Sequence, residues 1–164
     1  MTNNHRRKQP FLNFMEIIRS DHAFMALPPK FIILSNESAH GFERGTFIAS
    51  FAAIPGDKIA LLRNARWLLS NRSGAFLISS FQLVGTAALF RWDADFLVPH
   101  NQSAQQCMAC IPYFFMQAKK EISWEQRTAV LSNNWECVHA RGEKMSIADD
   151  AERRLIRYEV WGHA

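Results

Sequence analysis

The chain has 164 residues, 48% of them hydrophobic and 21% charged, enough to bury one ordinary core and too few for two separate ones. Three cysteines cannot build a disulfide framework, which excludes the small disulfide-rich secreted class and points to a reducing, cytoplasmic setting. The net charge of +4 lies in the first half, where residues 1–82 carry ten Lys/Arg against five Asp/Glu.

Residues 1–9, with Arg6, Arg7 and Lys8, read as a flexible basic arm ahead of a single domain over 10–164. The apolar stretch Phe11 to Met15 runs into Glu16, Arg19 and Asp21, which argues against a signal peptide. Pro10 suits a first helical position, and Phe11, Phe14, Met15, Ile18, His22 and Met25 recur at spacings of three and four. These predict an amphipathic helix over 10–26, ended by Pro28-Pro29, with His22 as a hydrogen-bonded core residue. Phe31 to Leu34 and Thr46 to Ala53 are strand candidates. Pro55-Gly56-Asp57 is a turn whose Asp57 can cap a helix over 58–69. Leu61, Leu62, Ala65, Leu68 and Leu69 would form its apolar stripe, while Arg63 and Arg66, three apart, project together from the other side, with Arg72 just beyond.

Ser73 to Phe90 contains no charge, about the minimum length for a bilayer helix. A hairpin explains the same stretch better. A two-residue Gly85-Thr86 turn of type II′ would pair residues 75–84 with 87–97, setting Phe81 opposite Phe90, Ser79 opposite Trp92 and Leu77 opposite Ala94. Its other face would show Ser80, Gln82, Arg91, Asp93 and Asp95 to solvent. Ser103-x-x-Gln106 and Ser123-x-x-Gln126 read as capping boxes for helices running to about Glu121 and Leu131, with Pro112 kinking the first or delaying its start. Leu155 to Trp161 alternates as a strand would, with Trp135 to Ala140 as a candidate partner.

Reactive side chains gather at Cys107-x-x-Cys110 and Cys137-x-His139, four donors of the type zinc prefers. The second pair has the wrong spacing for a knuckle, and the first lies on the apolar stripe of Cys107, Ile111, Phe114 and Ala118, so both Cys107 and Cys110 are expected to be packing residues. A redox pair would need a strand directly before Cys107, where Pro99 to Gln102 intervenes. Asp93-x-Asp95 is the nearest thing to paired acids and reads as a solvated strand face beside Arg91. No phosphate-binding glycine loop, nucleophile elbow or His-Glu-x-x-His helix occurs.

The element order predicts a single α+β domain, an antiparallel sheet with helices packed mainly on one face. With no complete catalytic constellation, the expected function is that of a small non-catalytic binding or accessory protein, without cofactor or metal. Its expected partner is an acidic protein surface or nucleic acid, met through Arg6, Arg7, Lys8, Arg63, Arg66 and Arg72, with Trp67 available for stacking. The alternative is a small enzyme of acyl-transfer or thiol chemistry that uses Cys107 or Cys110 with His40, His100 or His139.

Overall fold

The computed structural model describes residues 18–71, 74–142 and 154–162. Their regular structure is mostly antiparallel strand, with two helices and one turn of 3-10 helix at Phe51–Ala53. Strands β1 (Phe31–Asn36) and β2 (Phe42–Ser50) precede α1 (Gly56–Asn64) and β3 (Arg66–Asn71). Then come β4 (Gly74–Ser79), β5 (Phe81–Val84), β6 (Ala87–Phe90), β7 (Val98–Pro99) and α2 (Gln102–Ala118). β8 (Lys120–Trp124), β9 (Ala129–Asn133), β10 (Cys137–Arg141) and β11 (Leu155–Val160) complete the set. The strand orders are β11-β1-β9, β10-β2-β8 and β4-β3-β7, with β5-β6 as a hairpin.

The hairpin turn is where the sequence reading places it. Phe81 pairs with Phe90 and Val84 with Ala87, and Gly85 alone of the two central residues has positive φ, at 60°, as a type II′ turn requires. The pairing stops at Phe81, however. Residues 74–79 pair with β3 instead, from Asn71↔Gly74 to Arg66↔Ser79. The expected polar face is divided: Ser80, Arg91 and Asp93 are buried, while Gln82 and Asp95 are exposed as expected. Arg91 compensates by donating to Ala26 O and to Gln82 Oε1 at 3.0 Å, and Ser80 Oγ accepts from Trp67 Nε1.

The helix expected over 58–69 ends at Asn64, so Arg63 and Arg66 do not share a helix face. Asn101 closes it from a distance: its side chain donates to Asn64 O at 2.9 Å, accepts from Arg66 N at 3.2 Å, and caps α2 by accepting from Ala104 N at 3.0 Å. Asn101, not Ser103, is therefore the cap. α2 runs continuously through Pro112 and buries Ala104, Cys107, Ile111 and Phe115 at helical spacing. These meet Leu62, Trp67, Trp92 and Val138 in the main core.

Two other helices predicted from sequence are absent among the described residues. Ser123 to Leu131 is the end of β8, a turn with Arg127 at φ 61°, and β9, because each half finds a different strand to pair with, β2 for one and β1 for the other. Residues 18–26 are extended at Arg19 and then turn, with His22 at φ 54°; the expected helix residues 10–17 lie outside the described residues. Leu155–Val160 is a strand as expected, but it pairs with β1 and not with β10. No helix among the described residues is long and apolar enough to cross a membrane.

Gly85→Val forces a β-branched side chain into the left-handed region and is expected to cost about 1–2 kcal/mol of stability, read by urea denaturation. An unchanged midpoint would mean that the turn relaxes into another type.

Candidate active site at the junction of two sheets

Residues 18–21 run beside β10. Arg19 N donates to His139 O at 2.9 Å and His139 N donates to Arg19 O at 2.9 Å, a closed antiparallel pair. On its other edge residue 19 bridges Asp93, and Ser20 N donates to Trp92 O at 2.7 Å. Directly opposed residues of antiparallel strands project to one face, so His139, Arg19 and Asp93 form a cross-strand row. Asp21, two residues along, returns to the same side. Its Oδ2 lies 3.8 Å from His139 Nε2.

The other oxygen of Asp21 accepts from Arg157 Nη1 at 2.8 Å, and Arg157 comes from β11 of the other sheet. Arg157 Nε lies 3.6 Å from Glu159 Oε1, which meets His22 Nε2 at 2.6 Å. A string of acid and base groups, His22, Glu159, Arg157, Asp21 and His139, thus joins the two sheets. The Asp21 side chain is 8% exposed and that of Arg157 43%, so the acid is enclosed while the guanidinium reaches solvent.

Asn134 holds this geometry. Its Oδ1 accepts from Asp21 N at 2.9 Å, and its Nδ2 donates to Asp21 O and to Pro29 O, each at 2.9 Å. The next residue, Trp135, donates Nε1 to Pro28 O at 3.0 Å. The loop after β9 therefore clamps the segment from Asp21 to Pro29 at both ends through buried bonds. Burial holds His139 below the ordinary histidine range, with Asp21 opposing and Arg19, Arg157 and Arg141 reinforcing. Its imidazole is accordingly neutral at pH 7 and keeps one nitrogen lone pair. Burial raises the Asp93 carboxyl, offset by the hydrogen bond from Asp95 N at 3.0 Å and by the charge of Arg19. Asp93 and Asp95 are thus joined in a turn, not displayed on a strand face.

The residues singled out from sequence lie elsewhere. Arg6, Arg7, Lys8 and Arg72 fall outside the described residues. Arg63, at the end of α1, sits over the Phe81 ring at 5.1 Å from its centroid. Arg66, at the start of β3, donates Nη1 to Arg63 O and Ala65 O at 3.0 Å and to Ser79 Oγ at 3.1 Å. The two arginines meet, but as a helix end and a strand start. Trp67 is buried and unavailable for stacking.

Cys107 is buried in the core, where desolvation and the neighbouring Cys110 push its thiol up to about 12, and burial also raises Cys110 and Cys137. Such thiols stay protonated and are poor nucleophiles. The zinc set does not converge: no three His, Cys, Asp or Glu among the described residues are placed to hold a metal ion. Sequence reading passed over Arg19, Asp21, Arg157 and Glu159. The available signal was Arg19-Ser20-Asp21, a polar triplet breaking an apolar run.

No family model matches the sequence, and no curated protein matches it. Solved structures do match. An asparagine oxygenase in complex with Fe(II), 2S,3S-3-hydroxyasparagine and succinate is 16% identical, with a TM-score of 0.74 over 90% of this chain and 50% of that one. The non-heme iron oxygenase OrfP in complex with Fe is 15% identical, with a TM-score of 0.69 over 90% and 51%. OrfP with Fe and alpha-ketoglutaric acid gives 15%, 0.67, 90% and 50%. The chain spans about half the length of these neighbours and shares their fold. That these neighbours are enzymes binding iron and small molecules overturns the reading of a non-catalytic protein with an acidic protein or nucleic-acid partner. The thiol-enzyme alternative is disfavoured by burial, which raises Cys107 and Cys110 and keeps both thiols from ionising.

Non-haem iron oxygenases hold the metal with two histidines and one carboxylate on one face. Asp21 and His139 supply one of each, and the described residues bring no third donor to them. The donor set of the described residues therefore does not fit that triad.

Asn134→Ala strands the backbone groups of Asp21 and the Pro29 carbonyl together, and is expected to cost about 1–3 kcal/mol or more. Chemical denaturation checks the value; a loss under half that range would demote the clamp. Cys107 sets an alkaline limit. Because its folded pKa lies above its unfolded one, the unfolded chain loses the proton first as pH passes about 9, and stability falls from there upward. Cys107→Ala is expected to flatten that limb of a Tm-against-pH curve, and native Cys107 to resist alkylation until the chain unfolds.

Proposed function

We propose that this chain carries, on the fold of the oxygenases, a binding site for a small carboxylate-bearing molecule of amino-acid or keto-acid size. The cluster of Asp21, His139 and Arg157 carries the reading, because the backbone pairing at residue 19 and the clamp at Asn134 hold Asp21 against both His139 and Arg157. In this reading Arg157 anchors the ligand carboxylate. A guanidinium has five donors in a planar fork, one of which is on Asp21, and the side chain is partly open to solvent. Asp21 orients Arg157, and neutral His139 beside it accepts a proton or a hydrogen bond from the bound molecule. The neighbours containing hydroxyasparagine, succinate and alpha-ketoglutaric acid support ligands of this size and charge. We also read 10–164 as one α+β domain with both helices on one side of the strands, α1 against α2 and α2 against β2, β3 and β7, and 1–9 as a basic arm.

Calorimetric titration with 2-oxoglutarate, succinate, asparagine and arginine tests it. At least one is expected to bind, and Arg157→Ala to weaken that binding by about 10- to 100-fold, the worth of a charge-assisted pair. Arg157→Lys, which keeps the charge and spares Asp21 a lone burial, is expected to fall between. Failure of all four ligands to bind, or indifference to both substitutions, overturns the proposal.

A further inference from the structure

Residue 19 is the middle of the cross-strand row. It is hydrogen-bonded on one side to His139, bridged on the other to Asp93, and two residues from Asp21 along an extended segment. Asp93 itself stands two strand spacings from His139, about 10 Å away. Among the described residues, position 19 lies on that face beside both His139 and Asp21, so a side chain there can meet both the Asp21 carboxylate and the His139 imidazole. The residue there is arginine. It has N–H donors, no lone pair to give and no accessible neutral form, so it cannot ligate a metal. It does bring a fixed positive charge that acts on both Asp93 and His139.

We propose that Arg19 occupies the third corner of the site, leaving Asp21 and His139 as a two-donor pair that holds a divalent metal weakly, and that a donor side chain at position 19 completes a three-donor metal site. This rests on the reading of Asp21, His139 and Arg157 as the site, in which Asp21 and His139 supply one carboxylate and one imidazole. The arginine supplies within the protein part of the positive charge that a metal ion would bring, balancing Asp21 and Asp93 beside the carboxylate anchor Arg157. Carboxylate binding by the natural chain is then independent of metal.

Co(II) is titrated into the full chain and into Arg19→His, with visible absorption and calorimetry as readouts. Arg19→His is expected to bind at least about tenfold tighter than the natural chain, about 1.4 kcal/mol, and adding Asp21→Asn to remove the gain. Arg19→Ala, which removes the cation without adding a donor, is expected to gain less than Arg19→His; an equal gain overturns the inference, because charge relief alone would explain it. If Arg19→His does not fold cooperatively, Arg19→Cys supplies a third donor in its place. Tight Co(II) binding by the natural chain, lost in His139→Ala and no better in Arg19→His, overturns the role of Arg19 while the donor pair stands. Folded donor variants at position 19 that bind no better than a nonspecific protein remove the donor pair and the inference together.

Discussion

The paired backbone bonds between Arg19 and His139 are the constraint on which the rest of the site depends. A single residue, held on both edges, joins β10 to the segment around Asp93. Because opposed residues in an antiparallel pair share a face, that one ladder step sets His139, Arg19 and Asp93 in a row and turns Asp21 toward the imidazole. A slip of one residue would send every one of these side chains to the opposite face. The chain guards the register with Asn134, whose three hydrogen bonds are buried, and with Trp135, whose indole reaches Pro28 O.

The second consequence is an unusual distribution of polarity. Arg91, Asp93, Ser80, Asp21 and Asn134 are buried, while the β11-β1-β9 sheet presents Leu131, Ile156, Tyr158 and Val160 outward. The register places Phe31 and Ile33 on that same outer face and Arg157 and Glu159 on the inner one. The sheet is thus apolar outside and charged toward the site, the reverse of a sheet whose polar face meets water. This face is open, with Leu131 65% exposed.

Cationic groups also have a different meaning in three dimensions from the one their count suggests. The excess of arginine in the first half reads as an electrostatic footprint for an acidic partner. Of the described ones, Arg66 is tied to carbonyls at the end of α1 and Arg63 rests on Phe81. Arg19 and Arg157, which sequence reading left aside, stand beside the buried acids Asp93 and Asp21.

The Gly85-Thr86 turn was legible in the sequence, as were the β1 and β11 strands and the packing of Cys107, because each follows from local rules: positive φ at glycine, alternation by two, an apolar stripe at helical spacing. The ends of α1 and α2 were not, since one side chain, Asn101, closes both from 37 residues beyond the first. The sequence around Arg19 to Met25 fits a helix by spacing and is extended and turned because β10 and residue 93 claim its backbone groups. The site itself was out of reach of any local pattern. Its parts lie at 19–22, 93, 134–139 and 157–159, and strand pairing between segments more than a hundred residues apart is what converts a scattered set of ordinary polar residues into one enclosed cluster.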